Sequence, residues 1–351
     1  MMIADDLRPS FGSFGQSFAA TPHVDGLART GLLFERAYCQ FAVCAPSRNS
    51  IFSGRRPDTS GVWNFQDWFR NETRGAESWL SLPEYFKTHG YVSLGMGKTY
   101  HGCTNEGHLL AHGYCDLDRS WTAAAQPYYP YVREHCPPGH KGSYCHMEDE
   151  TQIFDHNLTE HAIAALHQFG AGGAGTPPLF LGVGFKKPHA PWGTPSRFFE
   201  MYSPKLPSAL HPTAPVGMPD VAFIHNFGAT LENGTSYKWG PQTPVPAAAA
   251  ALLRQGYYAA VSYVDEQVGK ILAELDSLKQ SDKYIVVFTS DHGYHLGEHG
   301  EWEKKANFEL TNRVPLIIRA PGFAAAAGKR TNVFYDHVSV DRRVDQRTCR
   351  S

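Results

Sequence analysis

Short apolar runs alternate along the chain with segments whose apolar residues recur at helical spacing. Val261, Val264, Val268, Ile271 and Leu275 follow a 3-4-3-4 spacing, which predicts a long helix that ends near residue 278. Further helices are predicted at residues 21–29, 47–53, 82–88 and 159–169, and strands at residues 3–6, 32–38, 91–96, 178–185, 284–289 and 313–319. This alternation predicts an α/β fold in which helices sandwich a mainly parallel sheet.

Four of the predicted strands lead directly into clusters of polar residues. These clusters are Asp5-Asp6, Gly97-Lys98-Thr99-Tyr100-His101, Lys186-Lys187-Pro188-His189 and Ser290-Asp291-His292-Gly293. In open α/β sheets, ligands bind outside the carboxyl ends of the strands. We therefore expect the four clusters to lie at one edge of the sheet, where the two adjacent aspartates are well placed to hold a cation. The alternative is that these acids are solvated strand ends or helix caps.

Several segments lack a clear period. Residues 102–150 and 193–246 are rich in Gly or Pro and predict loops and linkers over the active face of the sheet. Residues 335–350 are charged and show no periodic pattern. We therefore predict a catalytic α/β domain over residues 1–322 and an irregular tail over residues 323–351.

The composition is that of an ordinary globular protein. Hydrophobic residues make up 42% and charged residues 19% of the 351 residues, with a formal net charge of -2. This balance gives no overall attraction to nucleic acid, so any anion binding must come from local clusters. No apolar run reaches the ~18 residues that span a bilayer, and we predict neither a nucleic-acid partner nor a membrane span.

The cysteines and the glycosylation acceptors bear on the compartment. Cys136 and Cys145 bracket a Pro/Gly loop and form either a disulfide or two free thiols. Acceptor sequences occur at Asn71, Asn157 and Asn233, each in a polar and turn-rich neighbourhood. Together these features favour the secretory pathway, with a lysosomal or extracellular destination, although this sequence shows no signal peptide.

The most specific motif is Cys44-Ala45-Pro46-Ser47-Arg48. It places a thiol, a rigid turn, a hydroxyl and a guanidinium at the start of a predicted helix, where backbone N–H groups attract anions. The alternative is an unmodified buried thiol, a common state of free cysteine.

With this pentapeptide, which has the form Cys-x-Pro-Ser-Arg, the sequence resembles the sulfatase family of the alkaline-phosphatase-like superfamily. The resemblance covers nearly the whole chain and includes Asp5-Asp6, Thr21-Pro22-His23-Val24-Asp25, Ser53-Gly54-Arg55-Arg56-Pro57, Gly97-Lys98, Lys187-Pro188-His189, Ser290-Asp291-His292-Gly293 and Leu296-Gly297-Glu298-His299-Gly300. Asp6-Leu7-Arg8-Pro9 and Gly300-Glu301-Trp302 are typical of one subfamily. The sequence departs from the family in two places: the first strand is short, and the smaller C-terminal subdomain is expected to be absent.

The resemblance implies that a dedicated generating enzyme oxidises Cys44 to formylglycine. The hydrated aldehyde carries two hydroxyl groups: one attacks sulfur, and the second loses its proton and expels sulfate from the covalent sulfo-enzyme. The implied cofactor is Ca²⁺, bound by Asp5, Asp6, Asp291 and His292 together with the oxygen on residue 44.

The resemblance also assigns roles to the surrounding side chains. Arg48 and Lys98 would hold the diol, Lys304 would bind sulfate oxygens, and Lys187 would be a further anion contact. His101 would be the base that releases sulfate, and His189 would protonate the departing alcohol. Taken alone, His101 would be read as a surface or hydrogen-bonded histidine, and Lys304 as part of the solvated face of a charged run.

These features predict hydrolysis of a sulfate ester on a sulfated carbohydrate. A phosphonate or phosphate ester hydrolase is the second enzymatic interpretation, because tetrahedral oxyanions resemble one another. The third is an inactive, truncated relative that binds glycans or misfolds.

Overall fold

The computed structural model of the protein describes residues 1–103, 115–122, 128–132, 135–140, 142–170, 175–202, 206–224 and 229–338. Residues 339–351 of the predicted tail, Cys349 among them, lie outside the described residues. The strands are β1 Met2–Ala4, β2 Leu32–Tyr38, β3 Val92–Gly97, β4 Tyr129–Pro130, β5 Tyr144–His146, β6 Leu179–Gly184, β7 Trp192–Thr194, β8 Ala229–Thr230, β9 Ser236–Tyr237, β10 Val286–Ser290, β11 His295–Leu296, β12 Trp302–Glu303, β13 Arg313–Arg319, β14 Lys329–Thr331 and β15 Tyr335–Asp336.

Proline lies at one of the first two positions of three described helices, and one of these also has a side-chain cap. The helices are α1 Pro22–Thr30, α2 Cys44–Ser53, α3 Pro57–Ser60, α4 Leu82–Thr88, α5 Leu117–Ser120, α6 Phe154–Ala165, α7 Ser196–Glu200, α8 Ala247–Ser277 and α9 Glu309–Asn312. At the start of α4, the Ser81 side chain accepts from the Glu84 backbone N–H, and the Glu84 side chain accepts from the Ser81 N–H. Asp265 in α8 accepts from the backbone N–H groups of His23 and Val24, and so fixes the first turn of α1 against the longest described helix.

Nine described strands form the main sheet, in the order β14-β2-β13-β10-β1-β6-β3-β4, with β15 also paired to β2. Neighbouring strands are parallel except for β13, which runs antiparallel to both β10 and β2. Because successive residues of a strand face opposite sides, Met2 and Ala4 pack in one core with Val264 of α8. Ile3 packs in a second core with Phe52 of α2. The predicted α/β class with a mainly parallel, helix-sandwiched sheet is confirmed.

The periodicity located the elements better than it located their ends. The helix predicted at residues 159–169 is wrong at its start, since α6 begins at Phe154 and the Thr159 hydroxyl donates to the Asp155 carbonyl inside the helix. The helix predicted at residues 261–278 is α8, which begins at Ala247. Gly256 lies within it because a Cβ there would come within 2.8 Å of Tyr144.

Three segments predicted to be irregular contain short strands, and the first of them, residues 102–150, holds β4 and β5. The predicted loop of residues 193–246 holds β8 and β9, which pair antiparallel, and the end of β7, which pairs with β5. In the predicted tail, β14 and β15 both pair parallel to β2. The division into a domain of residues 1–322 and a tail stays a prediction, but the sheet includes residues on both sides of that boundary.

Candidate active site

Segments that are distant in the sequence meet at the carboxyl edge of the sheet. The pairing of Ala4 with Ser290 brings the ends of β1 and β10 together, and the pairing of Gly97 with Gly184 does the same for β3 and β6. Gly184 is required for this approach, because a Cβ there would collide with the backbone of Lys98. The four polar clusters predicted from the sequence therefore lie at one edge, as expected.

A buried cluster of potential metal ligands lies at this edge. It consists of Asp5, Asp6, Cys44 and His292, whose ligand atoms lie within 4.8 Å of one another. The Cys44 Sγ is 3.3 Å from His292 Nε2 and 3.5 Å from Asp5 Oδ1. The four side chains can supply ligands to one metal ion.

Asp291 lies beside this cluster and turns toward other partners. Its Oδ1 accepts from the Asp6 N–H at 3.1 Å and from the His292 N–H at 2.9 Å. Its Oδ2 accepts from Arg48 Nε at 2.9 Å and lies 3.7 Å from His292 Nε2. Asp291 therefore holds the backbone of Asp6 and of His292, and it forms an ion pair with the buried Arg48 guanidinium.

Three cations surround the acids and the thiol. Lys304 Nζ donates to Asp6 Oδ1 at 2.6 Å and lies 3.3 Å from Cys44 Sγ. Lys98 Nζ forms an ion pair with Asp5, and Arg48 Nη2 lies 3.8 Å from the same carboxylate. Lys304 is buried, so the charged run of residues 301–305 is not a solvated face at this position.

Burial and charge shift the ionisation of this cluster. Burial and the Asp5 charge act to raise the pKa of the Cys44 thiol, but Lys304 and Lys98 outweigh them and leave it lowered. Burial raises the pKa of Asp6 to about 7, against the charge of Lys304. Burial opposes the charged form of His292, yet Asp291 and Cys44 raise its pKa to about 9. The electrostatic field at residue 44 therefore favours a negatively charged side chain there.

The two predicted catalytic histidines flank the cluster in different ways. His189 Nε2 lies 3.9 Å from Asp6 Oδ2, and its Nδ1 is 2.6 Å from the Ala190 carbonyl oxygen. Burial, followed by the charge of Lys304, holds the pKa of His189 well below its usual range. The His101 ring packs against Phe65 at a centroid distance of 4.7 Å. Burial and Lys98 lower its pKa to about 3.

Lys187 is buried, and its Nζ donates to the Pro191 carbonyl oxygen at 3.4 Å. This contact joins Lys187 to the turn that carries His189 and does not join it to Cys44. Its role as an anion contact stays a prediction.

Sequence reasoning missed two groups that position the site. The Asp155 carboxylate in α6 accepts from the backbone N–H groups of Lys186 at 2.8 Å and Lys187 at 2.7 Å. The Ser47 hydroxyl donates to the Asp291 carbonyl oxygen and lies 3.3 Å from Nδ1 of the buried His337. The pattern predicts this helix only from residue 159, so it gives no signal for Asp155. His337 lies in the segment interpreted as irregular tail.

The chain also resembles known proteins over most of its length. It is 36% identical to human iduronate 2-sulfatase over 358 residues, covering 96% of this chain and 62% of that protein. It is 27% identical to a sulfatase of Formosa agariphila, over 97% of this chain and 66% of that protein. The chain thus spans less than two thirds of the length of these relatives.

A solved structure shares the fold. The phosphonate monoester hydrolase of Agrobacterium radiobacter superposes with a TM-score of 0.76 at 21% identity, covering 99% of this chain and 72% of that chain. This likeness confirms the alkaline-phosphatase-like fold expected from the sequence. Because the family model named Sulfatase matches residues 1–340, the chain belongs to the sulfatase family.

Proposed function

We propose that this chain carries the catalytic site of a sulfuric ester hydrolase that removes sulfate from a sulfated sugar, as an iduronate 2-sulfatase-like member of the family. The observation that supports this most is the position of Cys44, buried at the start of α2 with Asp5, His292 and Lys304 around its sulfur. A nucleophile at this position has a carboxylate, an imidazole and the Lys304 cation within 3.5 Å of one atom. The expected substrate class is a sulfated glycosaminoglycan.

The proposal includes oxidation of Cys44 to formylglycine by a generating enzyme. A sulfur-bearing or single-hydroxyl side chain would be left as a stable ester after attack, whereas an aldehyde hydrate has a second hydroxyl that can expel sulfate. The same change alters the metal preference of the donor set. A thiolate with an imidazole is typical of zinc, whereas carboxylates with a hydroxyl oxygen suit calcium.

Asp5, Asp6, Asp291 and His292 would hold this calcium ion together with residue 44. Asp5 and Asp6 offer oxygen ligands that suit a hard divalent cation, and Asp291 Oδ2 lies 3.7 Å from His292 Nε2 beside them. When bound, such an ion supplies positive charge to the sulfate oxygens and to the nucleophilic hydroxyl.

The remaining side chains can bind the ester and move protons. Lys304 lies against Cys44 Sγ and is placed to bind a sulfate oxygen, while Arg48 fixes the start of α2 through Asp291. His189 must be protonated to donate to the departing sugar oxygen. A bound sulfate ester brings negative charge next to His189, which opposes the effect of Lys304 and raises the tendency of the ring to hold a proton.

We expect His101→Ala to lower kcat about 10²- to 10⁴-fold, the usual contribution of a general base. With its pKa lowered to about 3, His101 is neutral and able to accept a proton from about pH 5 to pH 8. The substitution should therefore lower kcat equally across that range and leave the shape of the pH profile unchanged. Residue 44 should accumulate in its sulfated form, detected by mass spectrometry of its peptide.

The control for this prediction is His89→Ala, since His89 is exposed and its ring contacts the Tyr85 carbonyl at the end of α4. Its kcat should match that of the parent chain. Loss of an acid limb of the profile in His101→Ala alone would show that His101 titrates in this range, which contradicts the assignment.

Parallel hydrolysis assays distinguish the two enzymatic candidates. The structural likeness to a phosphonate monoester hydrolase is the observation in favour of the second one. We expect the chain, produced in a host that modifies cysteines in this motif, to hydrolyse an aryl sulfate faster than the matching aryl phosphate and phosphonate monoesters. Faster hydrolysis of either phosphorus ester would overturn the sulfatase proposal. No turnover of any ester by a folded chain with an aldehyde at residue 44 would favour the inactive relative.

We propose further that the protein passes through the secretory pathway to a lysosomal or extracellular destination. The structure contains the Cys136–Cys145 disulfide, which persists in oxidising compartments. Asn71 and Asn233 are exposed and suited to glycosylation. Asn157 is less suited, because it lies in α6 and its side chain donates to the Thr151 carbonyl at 2.7 Å. Among the described helices, none has the length and apolarity needed to cross a membrane.

A further inference from the structure

An aromatic rim lies beside the candidate active site and takes no part in the proposed chemistry. We define it as Phe41, Trp63 and Phe65, with Lys305 at its edge. Trp63 is 49% and Phe65 38% exposed, although both are large apolar side chains. Exposed aromatic groups next to a site are typical of ligand contacts.

The rim is continuous with the site through two independent contacts. The Phe65 ring packs on the ring of His101, at 4.7 Å between centroids. The Lys305 N–H donates to the Ala42 carbonyl oxygen at 3.2 Å, two residues before Cys44. The exposed Lys305 Nζ lies 5.9 Å from the centroid of Phe65. The rim therefore borders the segments that carry His101 and Cys44.

Hydrogen bonds and ring contacts restrain the loop that presents the rim. The Asp67 carboxylate accepts from the backbone N–H groups of Trp63 at 2.7 Å and Asn64 at 3.0 Å. Behind it, the buried Trp68 packs on Tyr100, the residue before His101, at 4.8 Å between ring centroids. The ring of Trp63 meets Phe41 edge to face at 6.0 Å. A fixed aromatic surface binds a ligand with less loss of conformational entropy than a mobile one.

From these contacts we infer that the aromatic rim is a second sugar subsite, which binds the residue adjoining the sulfated sugar in an anionic oligosaccharide. A pyranose ring has an apolar face of C–H groups that can be buried against an aromatic ring, while its hydroxyl groups stay in water. Lys305 supplies positive charge for a carboxylate or sulfate on that adjoining residue. The inference rests on the proposed function, because it takes the sulfated residue to lie at Cys44.

The kinetic test compares a heparin tetrasaccharide with a small aryl sulfate that cannot reach the rim. For Trp63→Ala, we expect kcat/KM to fall about 10-fold more on the tetrasaccharide than on the aryl sulfate, a difference of about 1.4 kcal/mol. Trp63→Phe keeps an aromatic face and should recover most of this loss. Ile285→Ala is the matched control, because Ile285 is 40% exposed at the opposite end of β10 from Asp291. Equal losses on both substrates, or no loss, would overturn the inference.

A binding measurement separates this inference from the catalytic proposal. In a Cys44→Ala background, calorimetry with the same tetrasaccharide should give a dissociation constant that rises about 10-fold when Trp63→Ala is added. If the parent chain hydrolyses no ester yet shows this difference, the rim binds sugar and only the catalytic proposal fails. If the Cys44→Ala chain does not bind the tetrasaccharide, or if the rim instead mediates self-association that Trp63→Ala abolishes, the subsite is wrong.

Discussion

Replacement of Cys44 by alanine is expected to lower sulfate ester hydrolysis by a factor of about 10⁴ to 10⁶, the scale of loss when a covalent nucleophile is removed. Alanine keeps the apolar Cβ of a side chain that is buried at the start of α2. It removes the sulfur, and without that sulfur the generating enzyme cannot oxidise the Cβ to an aldehyde. The loss should appear in kcat, measured with an aryl sulfate, while the thermal midpoint of the folded chain changes little.

Cys44→Ser gives a sharper result, because serine carries one hydroxyl in place of the two of an aldehyde hydrate. Its oxygen can attack sulfur, forming a new O–S bond as the bond from sulfur to the sugar oxygen breaks. The resulting sulfoserine has no second hydroxyl on the same carbon to expel sulfate. We therefore expect at most one equivalent of alcohol per chain, followed by no turnover, and a sulfo group on the peptide that contains residue 44.

Cys39→Ser is the matched control for both variants. Cys39 is also a buried free thiol, but its Sγ contacts the Thr311 carbonyl oxygen at 3.8 Å and lies outside the cluster of potential metal ligands. This variant should retain the parent kcat. Sustained turnover by Cys44→Ser, or full activity in a parent chain whose Cys44 remains a thiol, would contradict the aldehyde mechanism.

The location of the site could be predicted because it depends on the direction of the strands and not on side-chain contacts. Apolar runs give the strands, and the polar residues that follow them must lie at the carboxyl ends, which meet at one edge of a parallel sheet. The end of β1 at Ala4 and of β10 at Ser290 therefore placed Asp5 and His292 together before any contact was known. The bounds of β2 agree with the prediction, because Gly31 ends the preceding helix and the strand begins with the apolar residues 32–34.

The partners of each charged group could not be predicted, because they depend on side-chain directions across the sheet. Asp291 follows β10 as His292 does, yet its Oδ2 pairs with Arg48. Asp155 sits in a helix and reaches the turn after β6 only because α6 packs against that strand. The strands β14 and β15 are too short to show a hydrophobic period in the sequence. They form strands because both pair with β2.

Removal of the buried guanidinium is expected to have the largest effect on stability. Arg48 is 0% exposed, as are Asp5 and Asp291, and it lies 2.9 Å from the Asp291 carboxylate and 3.8 Å from that of Asp5. Arg48→Met keeps much of the side-chain volume but leaves buried carboxylate charge without its partner. Breaking a buried pair in this way costs about 3–5 kcal/mol, so we expect that fall in the free energy of unfolding, measured by urea denaturation.

Two further variants show whether charge or bulk causes the loss. Arg56→Met removes an arginine whose side chain is 63% exposed and which pairs with Asp336 at 3.3 Å, so it should cost less than about 1 kcal/mol. Arg48→Lys keeps the positive charge but loses the planar fork that donates to Asp291, and should fall between the two. If Arg48→Met is too unstable to purify, the order of Arg48→Lys and Arg56→Met still tests the argument. An Arg48→Lys chain as stable as Arg56→Met would show that the fork contributes little, and the geometry of Arg48 and Asp291 would then serve catalysis alone.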